Sequence, residues 1–125
     1  MKRACLILVL SSVAFLSQAQ SACEVIAGAS LVANDGTFIG RFDSEYASDS
    51  LLNEYGNYGS KYSGTSIWNE YGQYGGEYSA QSPFNVYSST PPMIIKDGQV
   101  IGYLTVNTAI SNSLNPYVTK TCQFN

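Results

Sequence analysis

Hydrophobic and polar positions in the middle of the chain recur with a sixteen-residue period, Ser50-Leu51-Leu52-Asn53-Glu54-Tyr55-Gly56-Asn57-Tyr58-Gly59-Ser60-Lys61-Tyr62-Ser63 being echoed from Ser66 to Ser79. Each unit opens on an apolar pair, Leu51-Leu52 or Ile67-Trp68, and then alternates tyrosine with glycine or a small polar residue. Neither the 3.6-residue stripe of a helix nor the strict alternation of a half-buried strand fits this pattern, and the glycines penalise long helices further. A third, shorter copy runs from Ser82 through Phe84, Asn85 and Tyr87 to Ser88 and meets Pro91-Pro92. Upstream, Phe42, Glu45, Tyr46, Ala47 and Ser50 fall in phase with Tyr58, Lys61, Tyr62, Ser63 and Ser66, so the array enters without a linker. Asn53, Asn69 and Asn85 recur at one phase, and asparagine closes local turns with its own side chain. The pattern predicts a run of compact turns over residues 43–92.

Two matched segments flank it. Asp35-Gly36-Thr37-Phe38-Ile39-Gly40-Arg41-Phe42 and Asp97-Gly98-Gln99-Val100-Ile101-Gly102-Tyr103-Leu104 share a D-G-x-Φ-I-G-x-Φ pattern, where Φ is apolar, at a constant offset of 62. Apolar runs around Asp-Gly predict β-hairpins, here over 31–42 and 94–106. Gly36 and Gly98 are expected at positive φ, and Gly40 and Gly102 at a bulge or a close backbone approach. The expected fold is mainly β: two related hairpins forming a small sheet with the tyrosine array on one face. Residues 107–125 return through a turn at Asn115-Pro116.

At the beginning of the chain Lys2 and Arg3 precede an apolar run from Ala4 to Leu16 and a small, polar stretch, which predicts a secretory signal over 1–22 with cleavage after Ala19 or Ala22. The run is too short for a membrane-spanning helix, and no later stretch is continuously apolar enough. The exported domain, 23–125, is expected to be periplasmic or extracellular. It keeps Cys23 and Cys122, and an exported pair ordinarily forms a bridge. A loop of 99 residues closed in this way would contribute about 4.7 kcal/mol in the chain-entropy account. Acylation of Cys23 is the competing reading, with Gln20 where lipoprotein signals carry leucine.

Loss of Lys2 and Arg3 takes the formal charge from −3 to −5, leaving Arg41, Lys61, Lys96 and Lys120 as the cations. Scattered cations among nine carboxylates are a poor match for nucleic acid or an anionic membrane surface. The chain has no histidine, which removes serine-hydrolase and papain-like mechanisms and, with both cysteines bridged, thiolate or imidazole metal sites. A calcium loop would need more oxygen ligands over a shorter span. No cofactor is expected.

The aromatic residues carry the remaining functional signal. Eight of the ten tyrosines lie in the array, too many for so small a domain to cover. Leu52, Trp68 and Phe84 share a phase suited to pinning each unit onto the sheet. Trp68, Tyr55, Tyr58, Tyr71, Tyr74 and Tyr78 are the candidate contact residues, because a phenol ring offers sugars an apolar face and a polar edge. Glu45, Lys61 and Glu77 share another phase and would form a ladder of alternating sign. Glu54, Glu70, Asp43 and Asp49 are the candidates for an alternative reading, a small hydrolase of envelope glycans using paired carboxylates.

The motifs D-G-x-Φ-I-G, tandem S-I-W-N-x-Y-G-x-Y-G-S-x-Y-S, S-P-F-N-x-Y and P-P-x-I, ending in G-Y-L-T-V-N, resemble those of a family of small exported bacterial proteins. The likeness spans about Asp35 to Asn107 and implies no activity. Gly76 where the preceding unit has Ser60, and Leu52 where the next has Trp68, depart from it. The expected function is a non-catalytic exported binding or structural module, contacting envelope polysaccharide or another exported protein through exposed tyrosines.

Overall fold

The computed structural model describes residues 18–125; most of the expected signal segment lies outside them. The Asp-Gly pairs turn the chain where their local chemistry dictates. Gly36 and Gly98 sit at φ of +90° and +77°, with Asp97 also at +53°. A two-residue loop with both φ values positive matches the right-handed twist of the strands it joins. The resulting strands are β1, Ser30–Val32, β2, Phe38–Arg41, β3, Met93–Lys96, and β4, Gln99–Leu104.

The β1–β2 and β3–β4 hairpins join through antiparallel pairing of β1 with β3, Leu31 opposite Ile94. A two-residue strand β5, Ser113–Leu114, adds in parallel to β4 and gives a five-stranded sheet of order β2-β1-β3-β4-β5. Register shifts in both hairpins, where Val32 pairs with Phe38 and Ile95 with Val100. The extra residue therefore falls beside Gly40 and Gly102 in turn. A Cβ at Gly40, whose φ is +129°, would lie 2.8 Å from Leu51 Cδ2, and one at Gly102 would lie 2.8 Å from the Asn112 carbonyl oxygen. These glycines are where the array and the return segment press onto the sheet. The hairpins differ at their tips: the first has a longer loop closed by Ala33 N–H to Thr37 O at 2.8 Å.

The protein is mainly β, a single small domain with, among the described residues, two short helices, α1 over Gln18–Ile26 and α2 over Pro116–Thr119. Residues 43–90 carry turns instead of helices or strands. Their buried anchors are Leu51, Ile67 and Pro83, one position before the expected Leu52, Trp68 and Phe84, which are half-buried. The anchor side chains lie beneath the turns, with Leu51 and Ile67 in one core cluster with Leu31, Ile39, Phe42, Ile94 and Leu104, and burying each leucine or isoleucine contributes about 1.5–3 kcal/mol. The larger ring of Trp68 lies across the neighbouring unit and donates Nε1–H to Leu51 O at 2.7 Å.

The return segment contains more structure than a turn. Asn115 caps α2, its side chain accepting from Tyr117 N–H at 2.9 Å with Pro116 in the first turn. This cap is the role of the expected Asn-Pro turn signal. Cys122 then meets Cys23 with an S–S distance of 2.12 Å, tying α1 to the end of the sheet domain.

Candidate functional site

The sixteen-residue period has a local cause in hydrogen bonding. Along the array a serine, asparagine or glycine carbonyl accepts the N–H three residues on, and that residue begins the next turn: Ser50, Asn53, Gly56, then Ser60, Ser63, Ser66, Asn69, Gly72, then Gly76, Ser79, Ser82, Asn85 and Ser88. Each unit has one four-residue step, Gly56 to Ser60 and Gly72 to Gly76. Four steps of three and one of four complete the repeat.

Side chains lock these corners. Ser50, Ser60, Ser66 and Ser82 Oγ accept the N–H two residues ahead, as do the Oδ1 atoms of Asn53, Asn69 and Asn85. Each asparagine also reaches backward, its Nδ2 donating to Ala47 O, Ser63 O or Ser79 O at 3.0–3.1 Å. One side chain thus satisfies two backbone groups eight residues apart. Serine and asparagine are suited to this because a short polar side chain can mimic a backbone turn.

The same geometry sorts the tyrosines. Tyr46, Tyr55, Tyr62, Tyr71, Tyr78 and Tyr87, each two residues after a corner, are 83–97% exposed. Tyr58 and Tyr74, which follow the glycines that open the four-residue steps, Gly56 and Gly72, turn inward. Tyr58 meets Phe38 edge-on with ring centroids 5.1 Å apart. Tyr74 is buried and donates its hydroxyl to Asp35 Oδ2 at 2.9 Å. Of the six expected contact residues, Tyr55, Tyr71 and Tyr78 are therefore on the surface, Trp68 and Tyr58 are half-buried, and Tyr74 belongs to the core. Tyr46, Tyr62 and Tyr87 join the exposed set, and their phase with Tyr78 or Tyr71 was the sequence signal for them.

Two grooves open along this surface. One, of about 1070 Å³, is lined by Tyr46, Tyr55, Tyr62, Trp68, Glu54 and Lys61 among others. The second, of about 940 Å³, is lined by Tyr71, Tyr78, Phe84, Glu70 and Glu77, and it shares Trp68 with the first. Shifted by one repeat, Leu51, Leu52, Glu54, Tyr55, Gly59, Ser60, Lys61, Tyr62 and Trp68 become Ile67, Trp68, Glu70, Tyr71, Gly75, Gly76, Glu77, Tyr78 and Phe84, all of which line the second groove. Trp68, Phe84 and Tyr117 form a row of tilted rings with centroid separations of 5.6 and 5.1 Å, and Lys120 Nζ sits 4.1 Å above the Trp68 ring.

Charges around the grooves are few. The expected Glu45, Lys61 and Glu77 ladder does not form: among the described residues the ion pair is Arg41 with Asp49, at 3.0 Å, while Lys61 Nζ lies 5.8 Å from the Tyr62 ring centroid. Glu45, Lys61 and Glu77 each follow a corner by one residue and are exposed, where solvation competes with pairing. The Glu45 carboxylate, by hydrogen bonding and by its charge, raises the Tyr46 phenol above its ordinary range. Asp35 is held down at about 2, chiefly by the Thr37 backbone N–H and then the Thr37 side chain; desolvation opposes them, and Tyr74 and Gln81 add smaller lowering contributions. Gln81 also accepts Asp35 N–H at 3.2 Å, so the first hairpin loop is fastened to the array.

No group of three or more metal-binding side chains occurs among the described residues. Nor is any helix among them long and apolar enough to cross a membrane. No protein-family model, curated protein or solved structure matches the chain.

Proposed function

We propose that the protein is a non-catalytic exported binding module whose tyrosine surface contacts glycans of the envelope. The supporting observation is the set of six tyrosines at 83–97% exposure, held by capped turns; five of the six, all but Tyr87, line two grooves. Large rings left in water have lost the burial that would otherwise justify them, and a contiguous exposed apolar surface marks a contact site. Each phenol combines a flat apolar face with a hydrogen-bonding edge, the two features a pyranose ring needs. The paired cysteines and the signal-like beginning of the chain favour an oxidising compartment.

Retention on isolated envelope polysaccharide tests the reading. Tyr71→Ala should weaken retention roughly threefold to tenfold, in keeping with one aromatic contact, whereas Glu54→Gln and Glu70→Gln should leave it unchanged. Unaltered retention after removal of both Tyr55 and Tyr71 would remove the tyrosine surface from the function. A carboxylate-dependent hydrolase would show the opposite sensitivity and would release soluble sugar.

A further inference from the structure

The repeat relation between the two grooves says something about the shape of what they hold. A site that presents one set of groups twice, in succession and without a gap, is complementary to a ligand that also repeats along its length. The grooves adjoin at Trp68, which lines both, so an occupant of one is led directly to the other. We infer that the two grooves are successive subsites for one linear, uncharged polysaccharide chain, an assignment that rests on the glycan-contact reading above.

Charge selects the uncharged class. The first groove carries Glu45 and Glu54 balanced by Lys61 and Lys120, but the second has Glu70 and Glu77 with no cation among its lining residues. The balanced first subsite gives an acidic polymer no net attraction, and the exchange of Lys61 for Glu77 at one phase makes the next subsite repel it. A uniformly cationic polymer would be attracted at the second subsite alone, so its charge does not match the repeat. A neutral chain is accepted by both, and the tyrosine faces supply the same contact in each: Tyr55 and Tyr62 in the first groove, Tyr71 and Tyr78 in the second. Two weak subsites engaging one chain act through effective concentration, so affinity rises with chain length although no new type of contact forms.

Calorimetric titration of the purified, disulfide-bonded protein with the dimer and hexamer of β-1,4-linked N-acetylglucosamine, beside polygalacturonate as the acidic comparison, tests this. The hexamer should bind at least about tenfold more tightly than the dimer and at one chain per protein, with polygalacturonate weaker than either. The paired substitutions Tyr55→Ala with Tyr62→Ala, and Tyr71→Ala with Tyr78→Ala, should each reduce hexamer affinity to near that of the dimer. These tyrosines are solvent-exposed, so an unchanged circular dichroism spectrum and melting temperature should accompany the loss. Equal affinity for dimer and hexamer would overturn the tandem arrangement while leaving a single-groove glycan contact intact. Tighter binding of polygalacturonate would overturn the uncharged class. Failure of both oligomers to bind while envelope polysaccharide is still retained would overturn it too, and retention abolished by protease treatment of the envelope fraction would assign the surface to a protein partner. Loss of retention on every envelope polymer would instead remove the glycan reading itself.

Discussion

Gly75→Ala adds one methyl group to the second unit, and there is no room for it. A Cβ at this position would fall inside contact distance of the Asn69 carbonyl oxygen, 2.6 Å from Ile67 O and 2.7 Å from Asn69 C. All three atoms are backbone, so no side chain can swing away. The Asn69 carbonyl also accepts Gly72 N–H at 3.0 Å, while the Asn69 side chain holds Tyr71 N–H and Ser63 O. Relief of the clash must therefore displace a corner carrying three hydrogen bonds. Overpacking costs typically about 1–3 kcal/mol, and each hydrogen bond lost about 0.5–1.5 kcal/mol. A total of about 2–6 kcal/mol follows if two bonds break, or a fall in melting temperature of roughly 8 °C or more for a domain of this size. Gly64→Ala is the matched comparison: nothing lies within 4 Å of its Cβ and its φ is not positive. That change should be neutral or stabilising by up to about 1 kcal/mol through the unfolded chain. Thermal unfolding followed by circular dichroism decides between them. Equal melting temperatures for Gly75→Ala and Gly64→Ala would refute the turn-stacking account, and Gly59→Ala, facing Asn53 N at 2.8 Å, should repeat the Gly75 result.

Three further outcomes are expected. Asn69→Asp keeps the acceptor for Tyr71 N–H but loses the donor to Ser63 O, and should destabilise by about 1–3 kcal/mol in urea unfolding, less than Asn69→Ala. Reduction of the Cys23–Cys122 bridge, which closes a loop of 99 residues, should cost up to about 4.7 kcal/mol; reduced protein with an unchanged urea midpoint would contradict a covalent clamp. Asp35, with its pKa lowered from 3.8 to about 2, contributes stability that is fully present above its unfolded value and is lost as pH falls through about 2. The melting-temperature gap between wild type and Asp35→Asn should accordingly be widest at neutral pH and close near pH 2, and a gap that widens on acidification would have the wrong sign.

Local chemistry made some features legible in the sequence and tertiary packing hid others. Gly36 and Gly98 need positive φ for reasons contained in a few residues, and Gly40 and Gly102 share a motif position, so both hairpins and both bulges could be anticipated. Strand β5 could not, because a two-residue parallel pairing leaves no periodic trace. The order of burial in each apolar pair was also hidden: Leu51 and Leu52 are the same residue type, and only the depth beneath the turn makes the first the anchor. Among the tyrosines, composition treats Tyr71 and Tyr74 alike, yet one follows an asparagine corner into solvent and the other follows Gly72 to Asp35. Distinguishing them requires the three-residue turn step, which is visible in the sequence only once the single four-residue step at Gly56–Ser60 is recognised.

Residue-resolved amide exchange across Ser44 to Ser88 tests the central claim, that serial side-chain-capped turns hold this segment rigid and hold its tyrosines outward. Protection should recur in threes: slow exchange at each corner N–H and, after serine and asparagine corners, at the second N–H beyond it, as at Tyr55 and Tyr71, with fast exchange at Glu54 and Glu70 between them. Uniformly fast exchange, or slow exchange without that spacing, would contradict the account.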